Sequence, residues 1–267
     1  MGSISDFAEN KLLDHLLNGV AYTPPATVYL GLSLADPLDD ASGLSEPSGG
    51  GYSRKAIPFA AAAARSIAQN QDVQFDPVTS DWGLVSHYGI FDAAAGGNML
   101  AHGALDVAKN VVTGNNPSVS SGEAVISFNP GGYSNYLANA LLDFMFRNQA
   151  FASPSTYLAL CTAEISDADS GASITEPAGA GYARVQVNPN GGSSPAWTLA
   201  AAGLVENLDV VNFNTPTGPW GTLTAMAIVD AAANGNLLFY DTDINEASPA
   251  SGDVVRIPAG GCAISLS

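Results

Sequence analysis

Apolar residues along this chain follow two different periods. Ile4, Phe7, Leu12, Leu13, Leu16 and Leu17 are mostly spaced by three and four, which puts them on one helix face. Ser5 or Ser3 can cap such a helix and Gly19 can end it. Tyr136, Leu137, Ala140, Leu141, Phe144 and Met145 repeat the pattern behind Ser134. After each helix the period shortens. Thr27–Leu32 and Ser155–Leu160 are β-prone and continuously apolar, as buried strands are. Short apolar pieces punctuated by glycine follow. In the first half these are 52–59, 73–75, 85–91, 99–105 and 125–128; in the second they are 182–187, 210–213, 223–229, 237–240 and 262–266. About seven short strands to one helix, without βαβ alternation, predict an antiparallel sandwich or small barrel with the helix covering one side or end.

The two halves are copies. Ser5, Asn10 and Leu12-Leu13-Asp14 recur as Ser134, Asn139 and Leu141-Leu142-Asp143, and Tyr29-Leu30-x-Leu32 recurs as Tyr157-Leu158-x-Leu160. Glu46-Pro47 and Gly51-Tyr52-x-Arg54 recur as Glu176-Pro177 and Gly181-Tyr182-x-Arg184. Trp82-Gly83, Asp92-Ala93-Ala94-Ala95 and Gly97-Asn98 recur as Trp220-Gly221, Asp230-Ala231-Ala232-Ala233 and Gly235-Asn236. The offset grows between Arg184 and Phe213, so the second copy carries an insertion there, read as a loop at 189–195. The expected fold is mainly β: two tandem repeats, 1–130 and 131–267, each an N-terminal α-helix plus an antiparallel, jelly-roll-like β-sandwich. The breaker at 129–132 is short, which implies a shared interface. Each repeat carries its own core pattern, so a cut at Gly131 is expected to leave at least one half folded.

Charge narrows the partners. With 25 acidic and 8 basic residues the net charge is −17, a field that repels nucleic-acid phosphates. No run approaches the ~20 apolar residues that span a bilayer, and the first ten residues show no secretory leader. Nucleic acid and membrane are therefore not expected partners. Cys161 and Cys262 lack any metal or redox spacing and read as buried thiols, consistent with synthesis in a cytosol.

Candidate chemistry is thin. His15, His87 and His102 face Phe144, Ala225 and Tyr240 at the matching positions of the other copy, so no function shared by both repeats can use them. Gly49-Gly50-Gly51 precedes a strand rather than a helix, and reads as a bend rather than a phosphate cradle. Asp36, Asp39 and Asp40, and Glu164, Asp167 and Asp169, lie in loops as solvated clusters or as Ca²⁺ ligands. Arg54 and Arg184 are expected to pair with Glu46 and Glu176 or with Asp92 and Asp230, and Trp82 and Trp220 to plug the cores. No catalytic, cofactor-binding or metal-binding residue is assigned, and no cofactor is expected.

Taken together, the opening Asn-x-Leu-Leu-Asp helix, Tyr-Leu-x-Leu, Glu-Pro-x-Gly-x-Gly-Tyr-x-Arg, Trp-Gly, Asp-Ala-x-x-x-Gly-Asn-x-Leu and a closing Gly-Asp-x-Val with Pro-Ala-Gly-Gly resemble a family of small tailed-phage virion proteins, often labelled tail fibre-like. Copy two keeps Gly252-Asp253-x-Val255, where copy one has Gly114-Asn115. The resemblance implies a non-enzymatic structural protein of the virion, made in the host bacterial cytoplasm. It implies major capsid protein or tail and collar proteins as partners, and self-association. Within that frame the first expectation is a capsid decoration or cement protein; the second is a tail, collar or fibre-attachment protein; the third is a carbohydrate-binding host-attachment module.

Overall fold

A computed structural model describes residues 2–266. The first repeat runs β1 (Ser3–Ile4), α1 (Asp6–Asn18), β2 (Tyr29–Ser33), β3 (Lys55–Ala56), β4 (Ser66–Ala68), β5 (Val73–Gln74), β6 (Gly83–Phe91), β7 (Met99–Val111), β8 (Ser118–Val119) and β9 (Val125–Ser127). The second runs α2 (Asn135–Arg147), β10 (Thr156–Cys161), β11 (Val185–Val187), β12 (Leu204–Glu206), β13 (Val211–Asn212), β14 (Ala225–Val229), β15 (Leu237–Asp241), β16 (Arg256–Ile257) and β17 (Ala263–Ser265). The protein is mainly β, in two repeats, each opening with a helix.

Each repeat has one larger antiparallel sheet, in the order β1-β7-β6-β2-β3 or β11-β10-β14-β15. Two-stranded ribbons make the rest of its β-structure: β4–β9 and β5–β8 in the first repeat, β12–β17 and β13–β16 in the second. Among the described residues every strand pairing stays within its own repeat.

The helices begin and end where the sequence says. Ser5 accepts from the Ala8 amide and Ser134 from the Leu137 amide. The same hydroxyls donate to the Met99 and Leu237 carbonyls, so each cap also ties its helix to its own sheet. Gly19 closes α1 in the left-handed region (φ 62°); Asn148 does the same for α2 (φ 51°).

Several strand extents differ from expectation, and three of the differences have a plain physical cause. Only Lys55–Ala56 of 52–59 joins a ladder, because Pro58 lacks an amide and Tyr52 and Arg54 turn to side-chain work. β7 runs on to Val111, since its far half pairs with β6 despite exposed polar residues. The ribbon strands β4 and β12 sit in Ala-rich segments whose composition carries no strand signal.

Buried side chains of both repeats form one continuous cluster. It includes Leu12, Leu13 and Leu16 of α1, Leu141, Leu142 and Met145 of α2, and residues of both sheets. A smaller cluster lies on the other face of the second sheet, where Ala159, Cys161, Ala225 and Val229 pack under the loop bearing Ile165.

Candidate functional site: the reciprocal clasp between repeats

Asn10 and Asp14 are four residues apart in α1, hence on one face. Asp14 Oδ1 accepts from the Ala200 amide at 2.8 Å, and Asn10 Oδ1 from the Gly203 amide at 3.0 Å. In the other direction Asp143 Oδ1 accepts from the Ala62 amide at 2.9 Å, and Asn139 Oδ1 from the Arg65 amide at 3.0 Å. Each helix therefore grips the hairpin tip of the opposite repeat. The tips need gripping: Ala64 and Arg65 (φ 49° and 64°) and Ala202 and Gly203 (φ 51° and 71°) are paired left-handed residues, the backbone of a type I′ turn. A non-glycine residue held there costs about 1–2 kcal/mol.

Between the helices, equivalent residues meet. The His15 ring stacks on Phe144 at 4.7 Å, and Tyr22 and Phe151, themselves equivalent, flank them. His15 Nε2 lies 2.8 Å from the Phe151 carbonyl oxygen. A residue and its own counterpart can touch only near the axis relating the copies, so this aromatic group marks a pseudo-twofold axis. His15 is thus an interface residue.

The two halves of the clasp carry opposite charges. Arg65 is buried; its guanidinium donates to the Tyr133 carbonyl at 2.7 Å and to the Asn129 carbonyl, lies 4.4 Å from the Tyr133 ring centre and stands 3.5 Å from the Asp167 carboxylate. It crosses the junction between repeats. At the equivalent position Gly203 has no side chain, and the space it leaves is taken by the carboxylate of buried Glu9, which a Cβ there would strike. Burial, with Asp6 and Asp39 adding to it, raises the Glu9 carboxyl to a pKa of about 7.

Within each repeat the repeated charges are internal braces. Arg54 is paired with Glu46 at 2.6 Å and Arg184 with Glu176 at 2.7 Å, through two nitrogens each. Tyr52 and Tyr182 donate to the same glutamates. Burial pushes the Glu46 carboxyl up, but the hydrogen bonds from Arg54 and Tyr52 outweigh it and hold it below its ordinary value. The remaining nitrogen, Nη1, holds the turn carbonyls of Ala93 and Gly96, or of Ala231 and Asn234, and Arg184 Nη2 also donates to the Gly171 carbonyl. Asp92 and Asp230 do not pair with arginine; they cap those turns through Asn98 and Asn236.

Each acidic loop is tied to its own repeat through one aspartate. Asp39 meets His102 Nε2 at 2.8 Å, and Asp167 accepts from the Tyr240 hydroxyl at the matching position. Their backbone carbonyls receive the amides of Asp6 and Asn135, the first residues of the helices. Asp40 and Asp169 close turns in their own loops. His87 meets Ser86. Among the described residues no three His, Cys, Asp or Glu side chains converge as metal ligands. Both thiols are buried and free, pushed up to about 12 chiefly by burial. Trp82 and Trp220 are buried, edge-on to Tyr52 and Tyr182, and donate to the Gly50 and Ala180 carbonyls of the glycine bend.

Comparison with known families meets this architecture directly. The family described as podophage GP4 fiber I protein gp80 matches the chain twice, over residues 3–127 and 132–265. The chain belongs to this family. The two fiber I matches leave 128–131 between them, the segment whose Asn129 carbonyl Arg65 holds. The fiber I family is one of phage structural proteins, and the tandem matches restate the internal duplication. No curated protein matches the chain. No helix among the described residues is long and apolar enough to cross a membrane. The helix pattern alone does not predict the clasp; its one sequence signal is that Asn10 and Asp14, four apart on one face, are identical in both copies.

Proposed function

We propose that this protein is a non-enzymatic fibre or fibre-attachment component of a podophage particle, working as a rigid two-lobed block that joins other virion proteins. The observation that carries the reading is the double fiber I match over nearly the whole chain. The clasp agrees with it, since the polar residues shared by the two copies brace loops or lock the repeats together. The family favours the fibre role over capsid decoration. Decoration keeps one argument: a pseudo-twofold block fits between two similar, non-identical lattice environments. Counting copies in purified particles by quantitative mass spectrometry separates them. Six to twelve or a small multiple, with fibres lost when the gene is deleted, is the result expected of a fibre component; hundreds, with heads that burst at low salt, would mean decoration.

A further inference from the structure

The repeats differ at one seam. In the first, the segment Gly2–Ile4 lies between β7 and β9: Ser3 and Ile4 pair with His102 and Ala101, while Gly2 donates to the Val125 carbonyl at 2.8 Å and accepts from the Ser127 amide at 3.1 Å. Tyr88 seals the seam from inside, its hydroxyl bonded to the Val125 carbonyl at 3.0 Å. A Cβ on Gly2 would overlap the His102 carbonyl oxygen, so nothing larger fits.

In the second repeat Gly132 and Tyr133 pair with Tyr240 and Phe239 of β15, as Ser3 and Ile4 pair with β7, but the β17 side of the seam stands open. Gly131, the counterpart of Gly2, is exposed and turned away, its amide held by the Asp167 carboxylate. Met226 stands where Tyr88 does and cannot bond the strand edge. β17 pairs with β12 in register Val205 to Ile264, and the Asn207 amide bonds the Cys262 carbonyl. Bonded pairs alternate along such a ladder, so the Ala263 carbonyl and the Ser265 amide face the seam. Among the described residues neither has a partner there, and both residues are exposed where Val125 and Ser127 are half-buried. Behind the edge is a cavity of about 240 Å³, lined by Met226, Ile228, Phe239, Tyr240 and Ile264. A cavity of about 150 Å³ already holds a benzene-sized group. Outside it, Leu199 and Leu204 are 53% and 39% exposed where the first repeat has Ala61 and Ser66, and Leu204 pairs with Ser265.

We propose that the open edge of β17 takes one extended strand of another virion protein, bonded to Ala263 and Ser265, with one bulky apolar side chain in the cavity. Strand addition at an open edge draws affinity from the main chain and specificity from the pocket. The first repeat is the template, since Gly2 there already bonds Val125 and Ser127, the counterparts of Ala263 and Ser265. A second copy of this chain is not the donor, because its Gly2–Ile4 segment is paired within its own repeat. The inference rests on the virion reading above.

The test complements a phage lacking the gene with the full-length protein, wild type or Met226→Tyr. The tyrosine restores the seal of the first repeat, so the variant should melt at or above the wild-type temperature while its incorporation falls at least tenfold. Should it fail to fold, Ser265→Pro removes the Ser265 amide from the strand edge and is read the same way. In wild-type particles, hydrogen exchange at Ser265 should slow at least tenfold against the free protein. A folded variant incorporated at the wild-type level, or unslowed exchange at Ser265 in the particle, overturns the seam. Absence of the wild-type protein from particles overturns the virion reading instead.

Discussion

Glu9 and Arg184 are both nearly enclosed, and among the described residues only Arg184 has a side-chain partner. Arg184 fills its donors with Glu176 and three carbonyls. Removing it as Arg184→Ala strands a carboxylate that is 20% exposed, for an expected loss of about 3 kcal/mol. Urea unfolding should show a lower midpoint at unchanged slope, and Arg184→Lys should recover only part of it, since lysine cannot hold the carboxylate through two nitrogens. Glu9 behaves the other way. Its folded pKa of about 7 lies above the ordinary 4.5, so the folded state holds the proton more tightly. Stability from this group is full below about pH 4.5 and is lost as pH rises through about 7. Glu9→Gln should therefore flatten that slope and stabilise the protein at pH 8 by on the order of 1–3 kcal/mol. Melting temperatures across pH 5–8 read it directly.

At the scale of elements, the clasp is the joint between helix and hairpin. Asp143→Ala leaves the Ala62 amide without its acceptor and also frees Arg147, paired at 2.8 Å. A cost of about 1–2 kcal/mol is expected, with Asp143→Asn restoring most of it because the amide oxygen still accepts. Helices, their caps, the buried strands and the Arg–Glu braces were legible in the sequence, because each is set by neighbours a few residues away. The ribbon strands were not: Ser66–Ala68 and Leu204–Glu206 are strands only because β9 and β17 arrive from about sixty residues later. The clasp was half legible. Repetition of Asn10 and Asp14 marked them as important, but a helix pattern cannot say which sheet its polar stripe will meet.

For the whole molecule, the shared core changes what a cut would do. The single cluster contains both helices, and each helix fixes a hairpin it is not covalently next to. Halves 1–131 and 132–267 are expected to lack a cooperative melt as separate monomers, and to regain one when mixed or when two copies of one half dimerise. Calorimetry with sedimentation of each half and of the mixture checks this. A monomeric half melting like the intact chain would mean the repeats are independent after all.

The pseudo-twofold axis at His15 and Phe144 has a further consequence. In a dimer of identical chains every substitution appears on both sides, and the object has no front or back. Joining the copies in one chain removes that constraint. Arg65 can face Gly203, Tyr88 can face Met226, and Ala61 can face Leu199, each pair breaking the symmetry at one place. The result is a building block with direction: the β9 edge is covered by Gly2, and the equivalent β17 edge is left bare. Direction is what a component needs if it is to hold two different neighbours rather than two of the same.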